Sequence, residues 1–133
     1  MIEPILALIT WTFVMWVWMY VTRIPAMQKA QIDTVELSRT GAKLELPPEV
    51  SRIADNYNHL HEQPTIFYAL LFYTHLAGNV GEAALGLAWA YVGLRIVHSL
   101  VQITINRVML RFGVFALSSL TLFGLAAINL LAL

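Results

Sequence analysis

Four stretches of this chain, residues 4–22, 64–80, 83–105 and 112–133, are each apolar over close to the length that crosses a bilayer. A spanning α-helix needs roughly 20 such residues, and in hydrocarbon every backbone polar group has to be satisfied inside the segment itself. The reading is an all-α bundle of four transmembrane helices. Composition agrees: of 133 residues, 59% are hydrophobic and 12% charged, whereas a soluble domain is about a quarter charged. The first stretch could be taken for a secretion signal. However, no basic residue precedes it, Glu3 opens it, and Trp11, Trp16 and Trp18 stand where a cleavable signal would show small residues. It is read as a mature spanning helix.

The basic residues set the orientation. Arg23, Lys29, Arg39, Lys43 and Arg52 lie between the first and second stretches, and Arg107 and Arg111 between the third and fourth. The N-terminus, the turn at residues 78–82 and the C-terminus have none. The positive-inside rule then puts loops 23–61 and 106–111 in the cytoplasm and both termini outside it. A formal net charge of zero gives nucleic acid no purchase, so these cations serve topology and polar headgroups. Cysteine is absent, which excludes a disulfide framework, a thiolate nucleophile and a cysteine metal site. Any thiol chemistry has to use a thiol brought by the substrate. There is no internal repeat and no flexible linker, so residues 1–133 are read as one domain. The absence of repeated halves and of a pair of broken helices sets a transporter aside.

The one long polar stretch carries Gly41 and the pair Pro47-Pro48, which should stop one short element and start another. From Glu49 the apolar spacing Val50, Ile53, Ala54, Tyr57, Leu60, Ile66, Leu70 predicts one helix that starts in the cytoplasm and enters the membrane, kinked at Pro64.

Inside the third apolar stretch stands Arg95, with His98 and Gln102 at helical spacing. A cation in hydrocarbon is expensive and signals a polar partner or an aqueous cavity. Across the predicted hairpin, Asp55, Asn58, His59 and Glu62 fall at i, i+3, i+4 and i+7, a second polar face. The plain structural account of the two faces is an ion pair from Glu62 to Arg95, with the other groups satisfying one another. The functional account is a polar pocket, and the two are compatible. Four spans leave little room for a sizeable ligand, so a pocket shared between subunits is expected.

The run Arg52-Ile-Ala-Asp-Asn-Tyr-Asn-His-Leu-His-Glu-Gln-Pro entering an apolar helix, followed by Arg95-Ile-Val-His98 and by Arg111 at the start of the last span, resembles the MAPEG superfamily. These are small four-helix membrane proteins that include microsomal glutathione transferases, leukotriene C synthase and microsomal prostaglandin E synthase. The resemblance implies a homotrimer holding glutathione as co-substrate, bent into a U, between adjacent subunits near the cytoplasmic side. It further implies that Arg23 contacts the tripeptide and that Asn58 and His59 stand for the polar pair before the family glutamate. Glu62 would receive the amino group, Arg95 and His98 match the third-helix pair of the prostaglandin synthase branch, and Arg111 would hold the thiolate as the catalytic residue. Gln102, where eicosanoid members carry tyrosine, completes the expected binding set. With Phe115 replacing the fourth-helix tyrosine, it points to a bacterial branch in the inner membrane.

The chemistry fits the residue types. A thiol that titrates near about 8.5 is mostly protonated at neutral pH, and a guanidinium in a partly dry pocket favours the thiolate, the true nucleophile. Guanidinium forks at Arg23 or Arg95 suit carboxylates. The expected activity is transfer of glutathione to, or reduction of, a lipophilic substrate arriving from the membrane. The alternative is a non-catalytic protein of the same fold that binds a lipid or a partner helix. No metal is expected: His59 and His61, two apart, point to different helix faces. His75, far from the stripes, reads as an interfacial side chain, and Trp11, Trp16, Trp18, Tyr20, Tyr68, Tyr73 and Tyr91 as lipid-facing or interfacial anchors. Gly86, Ala90 and Gly93 form a smooth strip for close helix approach.

Overall fold

This computed structural model describes residues 2–29, 39 and 46–133, and the Gly41 break and Lys43 lie outside them. The described residues form five helices and no strand: α1 (Glu3–Lys29), α2 (Pro48–His59), α3 (Gln63–Leu76), α4 (Glu82–Ile103) and α5 (Val108–Leu131). α4 packs mainly on α5, while α2 packs against α1 and α4. Three of the helices, α1, α4 and α5, are long and apolar enough to cross a membrane.

The expected continuous helix through Pro64 is instead two. α2 starts at Pro48, held in the first turn where a missing N–H costs nothing, and stops at His59. Residues 60–62 are non-helical, and α3 begins at Gln63 with Pro64 again in its first turn. Proline therefore starts a helix here and does not merely bend one. α3 spans 14 residues, about 21 Å at 1.5 Å per residue, short of the span expected over 64–80. Its end is a glycine cap. Gly78 takes φ 76°, Asn79 N–H donates to the Thr74 carbonyl at 3.0 Å and Gly78 N–H to that of His75 at 3.2 Å, the paired bonds of a Schellman motif.

At the other boundaries α1 runs on past Arg23 and through Pro25 to Lys29, so the first part of the expected 23–61 loop is helical. The third and fourth spans match α4 and α5 within a few residues. Facing the core are Leu8 and Met15 of α1, Ile53 of α2, Phe67 and Leu71 of α3, Ala88 and Tyr91 of α4 and Leu125 of α5. Tyr91 is thus no lipid-facing anchor: its ring stacks on Phe67 at 4.5 Å. Trp16, Trp18, Tyr20 and Tyr73 are exposed, as is His75. The strip Gly86, Ala90, Gly93 is exposed as well, with no atom near enough to meet a Cβ added at either glycine. Among the described residues, nothing packs against the two glycines of the strip.

A polar clasp closes the end opposite the Arg95 region. Asn79 Nδ2 donates to Asn129 Oδ1 at 2.9 Å, and Asn129 Nδ2 donates to Thr74 Oγ1 at 2.7 Å. It ties the α3–α4 turn to the end of α5, with Thr74 and Asn129 buried. Replacing Asn129 with leucine should lower unfolding stability in detergent by about 1–2 kcal/mol through the partners left unmade. Thermal unfolding measures it, and ligand binding at the far end should be unchanged.

Candidate functional site

The break between α2 and α3 creates the site. A helix that stops leaves its last carbonyls without partners and concentrates negative partial charge at that end. Arg95, on α4, is 1% exposed, and its Nη2 donates to the His59 carbonyl at 3.4 Å. The guanidinium thus sits at the end of α2 where a cation is favoured. The break opens on a cavity.

That cavity, about 330 Å³, is walled by His59, Glu62 and Gln63 at the break, Arg95 and His98 on α4, and Val108, Arg111, Phe112 and Phe115 on α5. Its size falls at the low end of the roughly 300–1,000 Å³ of small-molecule sites. Charge within it is lopsided, with two guanidinium groups against one carboxylate. Glu62 and Arg95 share the cavity, yet Glu62 is exposed and no ion pair joins them, so the expected intramembrane salt bridge is not formed. Buried Arg95 leaves its Nε without a partner, as His98 leaves its Nδ1. Groups of this kind are costly unless something else comes to satisfy them.

The remaining polar atoms are well placed. Gln63 bridges two helices, accepting from the Tyr91 hydroxyl at 3.2 Å and donating to Ser119 Oγ at 2.8 Å. His59 Nδ1 lies 3.2 Å from Gln102 Oε1. Arg111 donates from Nη1 to Asn106 Oδ1 at 2.9 Å. Asn106 has φ 48°, the one positive-φ residue other than glycine among the described residues. Asparagine tolerates that left-handed conformation better than most side chains, and here it both turns the chain from α4 to α5 and holds the arginine.

A family model described as the MAPEG family matches residues 1–131. The chain belongs to the MAPEG family. No curated protein and no solved structure gave a match. MAPEG membership and three long apolar helices together make this an integral membrane protein.

For this MAPEG chain the structure gathers His59, Glu62, Arg95, His98 and Arg111 around one cavity. Three other expected residues lie outside its wall. Gln102 is 1% exposed, behind His59. Asn58 is exposed on α2. Arg23 is partly exposed on the helical continuation of α1. The predicted stripe from Asp55 to Glu62 fails because the helix ends at His59, so Glu62 is no longer in register with it. Sequence reasoning missed Gln63, Asn106 and the apolar walls Val108 and Phe112. It also passed over Asn56, fully buried with both amide atoms unpartnered. The available signal was spacing: Asn56 lies three residues after Ile53 and four before Leu60, on the inward face of α2.

Proposed function

We propose that the cavity binds glutathione and that the protein transfers it to, or uses it to reduce, lipophilic electrophiles. The observation that carries this reading is the pairing of Arg95 and Arg111 with a lone Glu62 in one partly enclosed space. Glutathione has complementary charge: two carboxylates, one ammonium group and a thiol to be ionised. Arg111 stabilises the thiolate, Arg95 takes a carboxylate and Glu62 the ammonium. MAPEG membership supports it, since glutathione-dependent transfer and peroxide reduction are activities the family suggests. Arg23 and Asn58 join the ligand from a neighbouring protomer in a homotrimer, whose helix contacts use the unoccupied Gly86, Ala90, Gly93 strip. Residues 23–61 and 106–111 face the cytoplasm of a bacterial inner membrane, the termini face away, and residues 1–133 act as one domain. Isothermal titration of the detergent-purified protein with glutathione should give saturable heat, and a panel with chlorodinitrobenzene and lipid hydroperoxides should show thiol-dependent turnover. No heat would dismiss the reading.

Asn106 provides a milder test. Asn106→Gly keeps the left-handed turn but removes the acceptor that holds Arg111. Turnover should fall about tenfold, the equivalent of roughly 1.4 kcal/mol, with the unfolding midpoint little changed.

The bond from Arg95 to the His59 carbonyl favours a second reading, in which Arg95 is internal glue in a non-catalytic protein that binds a lipid or a partner helix. If Glu62 and Arg95 were that glue, Glu62→Gln and Arg95→Leu would compensate one another. With no ion pair between them, their effects on stability should add to within about 0.5 kcal/mol, measured by a double-mutant cycle.

A further inference from the structure

Ionising a thiol inside an enclosed cavity creates a proton as well as an anion, and arginine solves only half of that problem. A guanidinium is a donor at all five N–H positions and has no lone pair to offer, so Arg95 and Arg111 can hold the sulfur anion but cannot take its proton. The groups in the cavity wall that can accept one are His59, His98 and Glu62. Among side-chain types, imidazole, titrating near about 6.5, is better matched to a thiol near about 8.5 than a carboxylate near about 4.3 is. Of the two imidazoles, His98 leaves Nδ1 buried without a partner, so nothing fixes its tautomer. His59 is different. Its Nδ1 is 3.2 Å from the amide oxygen of Gln102, a residue 1% exposed and sealed behind it. An amide oxygen only accepts, so Nδ1 carries the hydrogen and the lone pair of neutral His59 is on Nε2. The same bond strengthens when the ring becomes imidazolium, because Nδ1 is then a charged donor.

We infer that His59, oriented by Gln102, is the proton acceptor that activates the thiol in this cavity. The inference rests on the glutathione reading above and adds to it a catalytic residue and a positioning residue. In the step, the S–H bond breaks with its electron pair retained on sulfur as thiolate beside Arg111, and the proton moves to His59 Nε2. With a hydroperoxide as second substrate, an S–O bond forms as the O–O bond breaks, and the imidazolium returns its proton to the departing alkoxide. The products are an alcohol and glutathione sulfenic acid, which a second glutathione converts to the disulfide and water. The charged and titratable groups sharing the cavity with His59 are Glu62 at the break, Arg95 and His98 on α4, whose ring lies 6.3 Å away, and Arg111 on α5. On its own helix Asp55 is exposed one turn back, and α1 contributes no group to the cavity wall.

The test compares wild type, His59→Gln and Gln102→Glu for glutathione affinity by calorimetry and for the pH profile of turnover. His59→Gln should lower kcat about 10²-fold or more at neutral pH while changing glutathione Kd less than about threefold. Its residual rate should climb with pH, by up to about tenfold per unit, until the thiol beside Arg111 ionises without a base. In Gln102→Glu the carboxylate stabilises the imidazolium, so the acid limb of the profile should move to higher pH, an effect that mere loss of packing would not produce. Unchanged kcat and profile in His59→Gln, or a rise in Kd that accounts for the whole loss, would overturn the inference while leaving glutathione binding standing. An absence of heat with wild type would overturn the glutathione reading and this step with it.

Discussion

Replacing Arg111 with alanine should lower glutathione-dependent turnover by about 10²–10³-fold, the effect of removing one preorganised charge from a developing anion in a dry site. The loss should fall mainly on kcat. Arg111 is held at the head of α5 by Asn106 and lines the cavity beside Phe112 and Phe115, apolar walls that keep its charge poorly screened. Binding of the tripeptide through its carboxylates and ammonium group would survive, so calorimetry should still show heat while the ultraviolet absorbance of bound thiolate disappears. Lysine at this position should recover part of the rate, since it brings the charge without the planar fork. Full turnover in the alanine variant would remove Arg111 from the chemistry.

Arg95→Leu should separate function from stability in the opposite direction. A buried guanidinium with one long hydrogen bond, an unpartnered Nε and no ion pair is a poor stabiliser of the empty protein. Exchanging such a charge for an apolar side chain is often neutral or stabilising. The variant without ligand should therefore unfold at an equal or higher temperature, by up to about 1–3 kcal/mol, and bind glutathione weakly or not at all. A ligand at 100 times its Kd stabilises a folded state by about 2.7 kcal/mol. Glutathione should accordingly raise the unfolding midpoint of wild type and leave that of Arg95→Leu where it was. A steep loss of stability in the ligand-free variant would instead make Arg95 structural glue.

How much of this was legible beforehand depends on which physical rule governed each segment. Hydropathy alone placed α1, α4 and α5, because hydrocarbon imposes one period and one length on a helix. Arg95, His98 and Gln102 were readable as an inward stripe because they share an unbroken helix, and all three are buried. The α2–α3 break was not readable from spacing. Pro64 is compatible with a kink or with a new first turn, and only the surrounding packing chooses. Once the helix ended at His59, the face counted from Asp55 to Glu62 dissolved: Asn58 is exposed, while Gln63, beyond the break, came into a position that helical counting did not offer. Asn106 was hidden for a related reason, since a left-handed residue in a short connection leaves no periodic trace.

The most direct measurement is an experimental structure of the protein in lipid with glutathione added. The account predicts density for the tripeptide in the cavity at the α2–α3 break, its sulfur within hydrogen-bonding distance of the Arg111 guanidinium and a carboxylate on Arg95. Arg95 turned outward to phospholipid, with that cavity collapsed or empty at saturating glutathione, would contradict it.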